Sequence, residues 1–218
     1  MALVQHWKLD DNAANTTVVA TVGNNGTLGG GDNTSVKQTS SGPGGSIAWA
    51  FDLNGTDDYV DISGATWSPA GPWTASLWVN LDGVTSNFVA GRVASSYRYL
   101  RILNSTTIVV ATSYSDKSFT VPTMSTGTWY HVFIVKDASN NVHLYLNGTE
   151  SSSGGLADYT GQWTLDAIGR RGTYYFNGRI TQVRLWNSDE SASVATWYAE
   201  GVTSGGGGKP WNYYAQAS

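Results

Sequence analysis

An all-β antiparallel sandwich is the fold that this sequence predicts, and three observations predict it. Alternation with period two recurs in about eleven short stretches rich in β-branched and aromatic residues. Gly, Asn, Asp or Pro punctuates nearly every gap between those stretches. No long helical period interrupts the pattern, which argues against βαβ units and a parallel sheet.

Taken in order, the first strand reads as LVQHWKL, residues 3–9. Residues 21–47 follow as a region full of Gly, Asn and Ser, expected to be a long and weakly structured loop. Strands at 48–53 and 59–63 flank Asn54-Gly55, a pair that tolerates positive φ and signals a hairpin. On that reading Asp57, Asp58 and Asp61 are the polar trim of a hairpin, with Asp52 and Asp61 able to face each other across it. Further strands are expected at 74–81, 87–93, 97–103 and 107–113, then at 129–137 and 142–148 joined through a turn at 139–141. The last two lie at 164–169 and 178–187. SDESASVATWYAEG, residues 188–201, departs from the rule: Ser188 or Asp189 can cap a helix, acids sit early, Val194, Trp197 and Tyr198 share a face, and Gly201 stops it. A glycine run and the aromatic tail KPWNYYAQAS complete the chain. The expected division is one domain over 1–201 and a linker plus tail over 202–218.

Composition narrows the partners. The 218 residues are 40% hydrophobic but only 13% charged, so solubility rests on Ser, Thr, Asn and Gly. A net charge of −4 gives no reason to expect nucleic acid or an anionic membrane. There is no cysteine, which excludes disulfides and thiolate metal sites. No apolar stretch is long enough to span a bilayer, and nothing at the start reads as a signal peptide. Six N-x-[ST] triplets occur, at Asn15, Asn25, Asn33, Asn54, Asn104 and Asn147, a weak signal in a chain so rich in Asn, Ser and Thr.

Several segments agree, in order and spacing, with one known family. LNGTDDYVDIS resembles the F-D-G-x-x-D-Y-V hairpin of laminin-G-like domains in the concanavalin A-like lectin/glucanase superfamily. LVQHWKLDD is similar to the opening strand of that family, and WTASLWVNLDG to its central strand. TGTWYHVFIVKDASNNVHLYLNGTE resembles its Trp-x-His strand, short turn and strand ending in Leu-Asn-Gly. FNGRITQVRLWNSDESASVATWYAEG is similar to its last strand and trailing helix. The resemblance covers residues 3–201 and implies a two-sheet antiparallel jelly-roll sandwich with a short C-terminal helix. It also implies glycan or protein binding, and in some relatives a structural calcium ion near the opening and last strands.

Catalysis is not expected. Glycosidases need two carboxylates across a cleft, whereas the only glutamates are Glu150, Glu190 and Glu200, none on a predicted sheet face. His131 and His143 match structural positions of the resemblance, and His6 sits in the first strand. For calcium, Asp10 and Asp11 resemble the family's acidic pair, but its later acids are replaced by Thr181 and Gln182. Asp10, Asp11 and Gln182 are the candidate ligands, and so few anions predict no ion or a weakly held one.

Aromatic residues carry the remaining signal. Ten Trp and twelve Tyr exceed what a core of this size needs, with Trp7, Trp49, Trp78, Trp129 and Trp186 assigned to that core. Sugar rings stack their C–H faces on exposed aromatics, with Arg or Asp completing hydrogen bonds. Alternation puts Tyr97, Tyr99 and Arg101 on one face, and a loop offers Arg170, Arg171, Tyr174 and Tyr175. Tyr114 and Trp163 fall in other loops. The candidate glycan-contacting set is Tyr97, Tyr99, Arg101, Tyr114, Trp163, Arg171, Tyr174 and Tyr175, and the same rings would suit a protein interface. Two functions follow from different classes. One is a non-catalytic lectin-like domain for adhesion or glycan recognition. The other is a surface or decoration protein of an oligomer or larger assembly such as a viral particle, contacting partners through Trp211, Tyr213 and Tyr214. Either places the chain outside the cell or on a particle surface.

Overall fold

The computed structural model describes residues 3–65, 67, 69–93, 98–111, 116–151 and 163–202. Two antiparallel sheets hold one core between them. The first contains nine strands, in the order Thr149–Glu150, Val142–Leu146, Trp129–Lys136, Trp73–Leu81, Asn177–Trp186, Leu3–Trp7 and Ala20–Val22, with Ala50–Asn54 and Gln38–Thr39 branching from it. The second runs Asp116–Thr120, Thr107–Ala111, Tyr99–Asn104, Asn87–Gly91, Ala167–Ile168, Tyr59–Asp61, Gly26–Gly29 and Thr17–Val18. A separate two-stranded ribbon pairs Arg170–Arg171 with Tyr174–Tyr175.

Alternation sets which side chains meet. In the second sheet Val89, Leu100, Ile102, Ile108, Val110 and Phe119 point into the shared core, while Phe88, Tyr99 and Val109 form a smaller cluster on the outer face. At the centre of the core Trp73 stacks on Trp163, with centroids 4.8 Å apart. Trp67 meets both rings edge-on, at 5.5 and 5.9 Å. The expected hairpin between Trp129–Lys136 and Val142–Leu146 is present, closed where Asp137 accepts a hydrogen bond from the Asn141 amide at 2.7 Å.

Several expectations need correction. The turn after Asn54 does not close a hairpin: Ala50–Asn54 belongs to the first sheet and Tyr59–Asp61 to the second. Residues 54–58 therefore cross between sheets, a gap of roughly 10 Å in packed sandwiches. Asn54 Oδ1 accepts from the Thr56, Asp57 and Asp58 amides at 2.8, 3.2 and 3.3 Å, which curls the chain for the crossing. Asp58 is not trim but fully buried, held by Lys37 Nζ at 2.6 Å. Residues 21–47 are not one loose loop, because they contain Gly26–Gly29, a short helix at Thr34–Lys37 and Gln38–Thr39. Trp49 stands outside the core, since regular pairing begins only at Ala50.

The C-terminal helix is shorter than expected, a 3-10 turn at Ser191–Ser193 followed by α-helix at Val194–Ala199. It covers the outer face of the first sheet. Tyr198 stacks on Trp78 with centroids 5.7 Å apart, and Trp197 meets Trp186 at 5.4 Å. The Arg184 guanidinium lies 4.5 Å from the Trp197 ring. No helix among the described residues is long and apolar enough to cross a membrane.

Candidate functional site

The outer face of the second sheet carries the most concentrated recognition chemistry. Phe88 sits on the central strand Asn87–Gly91, and Tyr99 meets it edge-on at 5.1 Å from the neighbouring strand. Arg101, two residues beyond Tyr99 and so on the same face, places its guanidinium 5.0 Å from the Phe88 centroid. The ribbon closes over this pair. Arg171 lies 5.2 Å from Phe88 and 4.9 Å from Tyr99, and Tyr174 packs 5.2 Å from Phe88. Gly91 permits that approach, because a Cβ there would come within 2.8 Å of Arg171 Cβ.

Exposure decides which of these groups a ligand can touch. Tyr174 is 56% exposed and forms an open ring, whereas Tyr99 is only 5% exposed and supports it from beneath. The Tyr99 hydroxyl donates to Asp116 at 2.6 Å. Burial, reinforced by that hydrogen bond, pushes its pKa up to about 12, so the phenol stays neutral. Arg101 donates to Ser86 Oγ at 2.7 Å, which fixes its side chain over the sheet. Two guanidinium groups, a carboxylate and an open phenol ring thus share one surface, with cations within the ~6 Å over which a ring attracts them.

Of the eight residues expected to contact a glycan, Tyr99, Arg101, Arg171 and Tyr174 come together. Tyr175 does not, because alternation along the ribbon turns it to the other side. There it pairs with Tyr59 at 6.3 Å, with Arg170 over both rings. Trp163 is a correction: it is fully buried against Trp73 and contacts no solvent. Its polar, glycine-flanked sequence context suggested a loop, but the indole is part of the core. Tyr97, Tyr114, Trp211, Tyr213 and Tyr214 lie outside the described residues.

Of the residues expected near calcium, Asp10 and Gln182 share one hollow at the first sheet, and Asp11 does not line it. Leu3–Trp7 and Ala50–Asn54 lie end to end along one shared neighbour, Asn177–Trp186. Where they meet, Thr181 Oγ1 donates to the Lys8 and Trp49 carbonyls at 2.7 and 2.9 Å. Gln182 Oε1 is engaged by Arg184 at 2.7 Å and lies 2.8 Å from His6 Nε2. A guanidinium already at that oxygen disfavours a metal ion there. Asp11 accepts from the Val19 amide at 3.1 Å, and burial raises its pKa. Among the described residues no group of three or more His, Asp or Glu is arranged to hold a metal ion.

The three glutamates are engaged in local contacts. Glu190 is buried and accepts from Ser188 at 2.6 Å, Glu200 pairs with Arg184 at 2.6 Å, and Glu150 lies 2.6 Å from His143. Asp52 pairs with Arg179 at 3.3 Å in the first sheet, while Asp61 lies in the second, so the expected pairing of these two carboxylates does not occur.

A laminin-G model of the concanavalin A-like lectin/glucanase superfamily matches residues 54–194. The chain belongs to that superfamily. Solved structures agree on the fold. Domain 4 of the extracellular GH43 arabinanase AbnA from Geobacillus stearothermophilus, solved with arabinotriose, superposes with a TM-score of 0.65 at 22% identity, over 90% of this chain and 98% of that one. The binding domain of botulinum neurotoxin serotype C1 gives 0.61 at 14% identity, over 90% of this chain and 51% of that one. A Trypanosoma rangeli sialidase gives 0.58 at 13% identity, over 90% of this laminin-G-like chain but 32% of the sialidase. None of the curated proteins matches.

Proposed function

We propose that this laminin-G-like domain is a non-catalytic glycan-binding module, serving recognition or adhesion at a cell or particle surface. The observation that carries the reading is the open Tyr174 ring, flanked by Arg101 and Arg171 and backed by Phe88 and Tyr99. A tyrosine this exposed offers a flat surface for the C–H face of a sugar. The guanidinium groups offer donors to its hydroxyls or to an acidic substituent. Domain 4 of the arabinanase, which has the same fold and was solved with arabinotriose, supports the class of ligand. Binding through this face needs no calcium, because its polar groups are side chains already held by protein partners.

A glycan array probed with wild-type protein, Tyr174→Ala and Arg171→Ala tests the proposal. The expected result is selective binding by wild type, unchanged by chelator and weakened about tenfold, near 1.4 kcal/mol, in either variant. Equal signals from wild type and both variants would refute this face as the site.

A further inference from the structure

The junction of strands in the first sheet opens into a cavity of about 450 Å³, a volume within the roughly 300–1,000 Å³ usual for small-ligand pockets. Its walls include Lys8, Asp10, Trp49, Gln182, Arg184 and Glu200. None of these residues belongs to the Tyr174 face, which lies on the opposite sheet. Trp49 is 43% exposed, the most open tryptophan among the described residues. Leaving so large an apolar ring in water forgoes stabilisation that burial would give. The ring is nonetheless anchored on an ordered strand end: its backbone carbonyl is fixed by buried Thr181, and Ala50 beside it begins the paired strand.

The polar groups identify the chemistry. Lys8 and Arg184 supply positive charge, and Asp10 and Glu200 supply negative charge, so the wall is balanced. Arg184 is held by Glu200 at 2.6 Å and Gln182 at 2.7 Å, giving a wall set before any ligand arrives. An anion would meet two carboxylates, and a cation would meet two positively charged groups. A ligand whose groups both donate and accept satisfies the whole wall, and hydroxyls do so. We infer that this cavity is a second binding site, taking a neutral sugar ring stacked on Trp49 with its hydroxyls shared among Lys8, Asp10 and Gln182. The domain would then carry one site on each sheet, and a multivalent glycan could gain avidity from both.

Titration of the full chain with arabinotriose, maltotriose and chitotriose, followed by tryptophan emission and by calorimetry, tests the inference. At least one of the three should shift the emission of wild type. Trp49→Ala should abolish the shift and weaken that binding about tenfold. Lys8→Gln, at an exposed rim position, should weaken it several-fold at unchanged melting temperature, which keeps the test valid if Trp49→Ala folds poorly. The site is overturned if no trisaccharide alters the emission, or if both variants bind as wild type does. Tyr174→Ala run in parallel separates the two proposals: it should leave the Trp49-dependent signal intact. Loss of binding in Tyr174→Ala alone would sink the cavity site and keep the other.

Discussion

The outer faces of the two sheets use similar residues to opposite ends. On the first, Trp78, His131, Trp186 and Arg184 lie beneath a helix that adds Trp197 and Tyr198. On the second, Phe88, Tyr99 and Arg101 lie beneath a short ribbon that adds Arg171 and Tyr174. Arginine and aromatic rings are paired on both faces. The difference is the cover: a helix seals its face, whereas a ribbon leaves a ring open. The same pairing that stabilises one face is therefore available for recognition on the other.

The largest effect that tests this contrast should come from Trp78→Ala. Trp78 is 2% exposed and packs against both Tyr198 and His131. Its truncation should cost about 3–5 kcal/mol, read by urea denaturation, with glycan binding by the folded fraction unchanged. A loss below ~1 kcal/mol would mean that the helix seals nothing of consequence.

Acid should attack the covered face next. Burial holds the His131 pKa down to about 3 and that of His6 to about 4, in each case with Arg184 adding to the effect. Below the unfolded value of 6.5 the unfolded chain takes up protons that the folded one refuses. Stability is thus complete above that value and falls progressively as pH drops towards 3 to 4. Thermal melts across this range should show the fall, and His131→Asn should flatten it. An unchanged slope in that variant would contradict the assignment.

Tyr174→Ala should show the reverse pattern to Trp78→Ala. Stability should move by no more than about 0.5 kcal/mol, while glycan binding weakens about tenfold. The smallest effect belongs to the sheet edge. Burial lowers the His143 pKa, but Glu150 and Asp137 outweigh it and raise the value overall. Its stabilisation is complete below the unfolded value and is lost as pH rises through the elevated folded one. Glu150→Gln should reduce that small alkaline loss in a pH series of melts.

Much of this contrast was legible in the sequence. Period two places Tyr99 with Arg101, and the Arg and Tyr residues at 170–175 form a cluster in the sequence itself. The closing helix was legible from the spacing of Val194, Trp197 and Tyr198, although the α-helix begins only at Val194 and neither Ser188 nor Asp189 caps it. Other features depend on contacts distant in sequence. Asp58 resembles a turn residue until Lys37 is brought against it, and Trp163 resembles a loop residue until Trp73 stacks on it. Strands of two to four residues, such as Gly26–Gly29, are too short to display a period. Asp116–Thr120 displays no apolar alternation because only Phe119 among its five residues is buried. The cavity beside Trp49 arises where two strands end, and alternation within either one cannot show that.

Mapping backbone amide shifts of the isotope-labelled domain during titration with the glycan best retained on the array tests the central claim most directly. The account predicts the largest shifts at Phe88, Arg101, Arg171 and Tyr174, with Trp78, His131 and Tyr198 unmoved. Shifts confined to residues beneath the helix, with the Tyr174 face silent, would contradict it.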